Sequence, residues 1–143
     1  MNTTQYLDLP SWIDLHAPSI LIGQSALFFY QIGERPDKVN CVITEKDFDQ
    51  IAVLRPDCVG KQGSDQVIWI EDMIFFRTIQ LFCYNAIKAN LLSEENYAVI
   101  SLDRLFLITS LDFTNPKREK EMEKILERMN SRSEPAAKPR RAR

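Results

Sequence analysis

From Ser64 to Asn115 the chain holds neither glycine nor proline, while all four glycines (Gly23, Gly33, Gly60, Gly63) lie before that stretch. A sheet of such length ordinarily needs turn residues and a helix does not, so the segment reads as helix. Ser64 or Asp65 suits the cap of a first helix running to about Leu91. Its apolar residues, among them Val67, Ile68, Trp69, Ile70, Met73, Ile74, Phe75, Phe76 and Ile79, surround the axis. A helix apolar on all sides is buried or sits in an oligomer interface. Ser93 starts a second helix to about Asp112, with Leu92 and Tyr97 placed as a staple. The runs 67–70 and 97–102 are also rich in β-formers and stay open as strands.

The flanks follow the same grammar. Pro18 to Ile32 reads as helix, with Gly33 as the left-handed residue past its end and Pro36 as a stop. Val39 to Ile43 is extended. Thr44 then caps a helix carrying Glu45 and Asp47 in its first turn, with Phe48, Ile51, Ala52 and Leu54 facing inward and Arg55-Pro56 ending it. Gly60 to Ser64 is the one lysine-bearing glycine loop, without Walker spacing or a preceding strand, and reads as a turn. Asn115-Pro116 opens a charged helix to about Asn130 with a narrow stripe of Met122, Ile125, Leu126 and Met129. The expected architecture is mainly α, a compact bundle of four to five helices around a long central hydrophobic helix. Residues 1–130 form one domain with an irregular segment at 1–17, and 131–143 form a disordered basic tail.

Charge divides the chain unevenly. Residues 1–115 carry 8 Lys/Arg against 15 Asp/Glu, a net of −7, and residues 116–143 carry 10 against 5, a net of +5. An acidic body with a basic end suits a protein whose terminus alone meets an anionic partner. Arg132, Lys138, Arg140, Arg141 and Arg143 are the candidate nucleic-acid contacts. Residues 1–9 lack the basic and apolar regions of a secretory signal, and Glu71, Asp72 and Arg77 interrupt the most apolar stretch, so no membrane span is expected. Cys41, Cys58 and Cys83 form no CxxC pair, lack zinc-ligand spacing, and read as reduced thiols of a cytoplasmic protein.

Catalytic chemistry finds little to use. His16 is the single histidine, with Asp14 as its nearest orienting carboxylate and no glycine-flanked nucleophile in the sequence, so it reads as a structural hydrogen-bonder. The pairs Asp47/Asp49, Glu71/Asp72 and Glu94/Glu95 point to different faces if helical. No enzyme activity, cofactor, metal or small-molecule substrate is expected.

Two classes of function remain. Pro18-Ser19-Ile20-Leu21-Ile22-Gly23-Gln24, then Ile43-Thr44-Glu45-Lys46 and Ile51-Ala52-Val53-Leu54, resemble the helical D subunit of the bacterial flagellar master transcription activator, over residues 18–54. That resemblance implies an all-helical, oligomeric, DNA-binding subunit in transcription regulation, working with a second protein. The alternative is a helical protein–protein adaptor or chaperone-like component without nucleic acid, a homo- or hetero-oligomer. Its expected interface is Trp69, Met73, Phe76, Met122, Ile125, Leu126 and Met129.

Overall fold

The computed structural model describes residues 9–94, 96–112 and 115–141, with side chains described as far as Ser131. The fold is α/β, 40% helical and 25% strand, so the expected helical bundle is corrected. The segment assigned to one central helix is instead a run of strands: β4 (Asp65–Ile70), β5 (Met73–Phe76), β6 (Thr78–Ile79) and β7 (Phe82–Cys83).

The reason lies in the turns. β4 meets β5 through Glu71-Asp72, with Ile70 opposite Met73, and Glu71 adopts φ 52°. β6 meets β7 through Gln80 and Leu81, at φ 51° and 70°. Tight hairpins require these left-handed angles and usually recruit Gly, Asn or Asp for them. Here Glu, Gln and Leu take them, so the chain reverses without the residues that announce a reversal. The all-round apolarity has an equally plain cause: every residue of β5 is buried, as in an interior strand covered on both faces.

The chain divides after Ser101 into two compact units. The first contains a seven-stranded sheet in the order β3-β4-β5-β2-β1-β9-β8. In chain order its other strands are β1 (Ser19–Leu21), β2 (Val39–Val42), β3 (Val59–Gln62), β8 (Leu92–Ser93) and β9 (Tyr97–Val99). β1 lies antiparallel to β2 and parallel to β9, and β2 lies parallel to β5. β3, β4 and β5 form an antiparallel meander, and β8 returns antiparallel on β9. Ile20, Leu21, Cys41, Val42, Val67, Ile68, Phe75 and Val99 have no exposed surface and form the centre of the core.

Helix α1 (Gly23–Phe29) follows β1 after a turn at Gly23, whose φ of 55° suits a residue without Cβ. The predicted helix 18–32 thus begins as a three-residue strand and is helical only over Gly23–Phe29, and the left-handed residue after it is Gln31 (φ 64°), not Gly33. Ser25 on α1 fastens the helix to the sheet by accepting the Asn40 backbone N–H at 2.8 Å. Helix α2 (Glu45–Leu54) begins as expected: the Thr44 hydroxyl accepts the Asp47 N–H at 3.1 Å. α3 (Tyr84–Ile87) follows β7.

On β3, Gly60 occupies the only space its neighbour allows. A Cβ there would lie 2.2 Å from Cζ3 of Trp69, so the indole packs directly on bare backbone. Gly60 to Gln62 is therefore strand, and the turn of that loop is confined to Gly63-Ser64.

The second unit contains α4 (Leu102–Ser110) and α5 (Lys117–Arg141), packed against each other. The Asn115 carboxamide oxygen accepts the Lys117 N–H at 3.0 Å, the expected start signal. Arg118 ties the corner by donating to Asp112 at 2.9 Å and to Glu121. Burial disfavours the Arg118 charge, but the two carboxylates outweigh it and raise its pKa. Among the described residues no helix is long and apolar enough to cross a membrane.

Candidate functional site

Helix α2 presents three differently treated faces. One faces the segment before β1. The Asp47 side chain is fully buried, and its carboxylate accepts the His16 backbone N–H at 2.9 and 3.1 Å and the Ala17 N–H. The same carboxylate lies 2.6 Å from His16 Nδ1, so with Asp47 ionised it is Nδ1 that carries the proton. Burial works against that charge, but the His16 side chain and the surrounding donors outweigh it and hold Asp47 below its ordinary value of 3.8. Tyr84 stands nearby, donating to the Pro18 carbonyl at 2.7 Å, and burial followed by the Asp47 charge raises its pKa. At the other end of α2, the Arg55 guanidinium sits 5.7 Å from the Trp12 ring centre.

A second face is tied to the sheet. Arg77, just beyond β5, donates to Asp49 from Nε at 3.3 Å and from a terminal nitrogen at 3.4 Å, and reaches Glu45 at 3.5 Å. The third face is open. Lys46, Asp49, Gln50, Val53 and Leu54 lie on it, and Val53 and Leu54 are 79% and 63% exposed. Of the four residues expected to face inward, Phe48 and Ile51 do so, at 2% and 5% exposure, Ala52 is half-buried, and Leu54 is turned to the open face.

The hairpin β6–β7 is held by a buried carboxylate of its own. Asp65 accepts from the Thr78 hydroxyl at 2.7 Å, the Gln80 N–H at 2.9 Å and the Leu81 N–H at 3.0 Å. This scaffold keeps Leu81 at the tip, largely exposed.

The residues expected at a partner interface divide between the two units, Trp69, Met73 and Phe76 in the first and Met122, Ile125, Leu126 and Met129 in the second. Met73 and Phe76 are interior residues of β5 and Ile125 is buried on α5. Trp69 on β4 and Leu126 on α5 are partly exposed, and Met122 and Met129 are half-buried. Arg132, Lys138, Arg140 and Arg141 belong to the backbone of α5 with side chains outside the described part, and Arg143 lies outside the described residues. Sequence reasoning assigned His16 to Asp14 and treated Asp47 only as helix-start charge. No local signal marks their pairing, because the partners are 31 residues apart. The exposure of Val53-Leu54 had a signal, the two apolar residues directly before Arg55-Pro56 where α2 runs out.

A His–Asp pair invites a catalytic reading, which the geometry does not favour. The imidazole is about half exposed, whereas acid–base chemistry is strongest where water is excluded. Two of the donors to Asp47 are backbone N–H groups, an arrangement that anchors a segment. Among the described residues no cluster of His, Cys, Asp and Glu suits a metal. Comparison with known families, known sequences and solved structures finds no match. The helical bundle is overturned by the sheet, and transcription regulation and DNA binding gain no support.

Proposed function

We propose that the chain is a non-enzymatic protein-docking domain whose contact surface is the open face of α2. The observation that carries this reading is the exposure of Val53 and Leu54 side by side on a helix whose other two faces are fastened. Full burial of a side chain of this kind is worth about 1.5–3 kcal/mol, an incentive that a docked apolar segment would collect. Lys46, Asp49 and Gln50 lie on the same face and supply a mixed-charge rim that orients without favouring a polyanion. The net charge of −7 over residues 1–115 also disfavours nucleic acid here. The fitting occupant is an amphipathic segment of another protein, apolar on one side.

The test is site-specific photo-crosslinking in cells, with the reactive group at position 53 and a control at Lys61 on β3. A discrete protein adduct formed from position 53, absent from the control and lost on adding Leu54→Asp, supports the reading. No adduct, or the same ladder from both positions, overturns it.

A further inference from the structure

The segment before β1 is attached to α2 in a way the rest of the first unit is not. β1 is locked between two strands, whereas residues 10–17 belong to no strand. They form a turn of their own, with the Ile13 N–H on the Pro10 carbonyl at 3.0 Å, and are fastened at two points: Trp12 against Arg55, and His16 with Ala17 on Asp47. Trp12 meets Arg55 at the end of α2 and His16 meets Asp47 in its first turn, so the segment runs antiparallel beside the helix. Ile51 falls on the same helical ridge midway between the fasteners, and Ile13 lies between them on the segment; both are buried. Pro18 is the pivot. It has no N–H to give, and its carbonyl is held by Tyr84 at 2.7 Å, so the chain is fixed from that point on.

We infer that residues 10–17 are a strap that lifts off α2 as one unit, pivoting at Pro18, and that in its closed position it limits docking on α2. Lifting uncovers Ile51 beside the exposed Val53 and Leu54, and so adds a buried aliphatic residue to the apolar surface offered to a partner. The limiting role rests on the docking reading given above; the lifting of the strap does not.

Hydrogen exchange on the full chain tests the strap. In His16→Ala, amides 12–17 exchange at least tenfold faster than in the wild type, while those of β1, β2 and β5 stay within twofold. Trp12→Ala, which leaves Asp47 untouched, opens the same amides. Equal acceleration of strap and sheet overturns the inference, because the segment is then part of the cooperative fold; unchanged strap amides in both variants overturn it as well. Crosslinking from position 53 tests the limiting role. A higher yield in His16→Ala supports it, and an equal yield with the strap shown to be open overturns it. Absence of any adduct in either protein overturns the docking reading and the limiting role together, and leaves the exchange result to decide the strap.

Discussion

Trp69 covers Gly60 so closely that the indole occupies the volume a Cβ would need. The glycine is thus a packing requirement of the β3–β4 pair, and it leaves the indole 39% exposed on the sheet surface. Gly60→Ala must push the ring away or spread the strands. The expected loss is about 1–3 kcal/mol, the range for forcing extra volume into a packed contact. Denaturant unfolding measures it, and in a Trp12→Phe background the emission of Trp69 shifts to longer wavelength.

Asp65 and Leu81 form a second such dependency. Removing the carboxylate in Asp65→Ala frees two backbone N–H groups and a hydroxyl, for an expected loss of about 1–3 kcal/mol. Leu81→Asn goes the other way. A leucine in left-handed backbone costs roughly 1–2 kcal/mol and asparagine tolerates it. That variant is expected to melt no lower than the wild type, and a clear drop in melting temperature contradicts it.

Asp47 gives the acid limb of the stability curve. Its pKa is lower in the folded protein than the ordinary 3.8, so the unfolded chain binds its proton first as pH falls. The stabilisation is complete above about pH 3.8 and is lost below it, as pH drops through the folded value. Urea midpoints measured from pH 6 to pH 2.5 show this fall, and Asp47→Asn, already less stable at pH 6, flattens it.

The three thiols separate by burial. Burial pushes Cys41 up to about 12, with Ser19 opposing weakly, while Cys58 and Cys83 are partly exposed. A thiol reagent at pH 8 is expected to label the latter two in the folded protein and Cys41 only on unfolding. Rapid labelling of all three contradicts the placement of β2.

What could be read in advance follows the reach of each interaction. The start of α2 was legible because Thr44 and Asp47 are three residues apart, and the start of α5 because Asn115 and Lys117 are two apart. β2 was legible as an extended run, Val39 to Ile43. The middle was not, because Glu71, Gln80 and Leu81 turn the chain without turn residues, and an interior strand such as β5 is as uniformly apolar as a buried helix. The candidate site was legible only in its parts. His16 meets Asp47 because β1 and β2 pair and bring their flanks together, a consequence of the sheet rather than of local pattern.

The placement of β2 between β1 and β5 governs how this protein can be made. As the chain leaves the ribosome, β1 and β2 emerge long before Met73–Phe76, and the other flank of β1 waits for Tyr97–Val99. The nascent sheet therefore keeps two open edges until nearly the whole first unit has been synthesised. Truncations ending before residue 99 are expected to be sticky and insoluble, and co-expressed fragments divided at Gly63-Ser64 to succeed only when both halves are present.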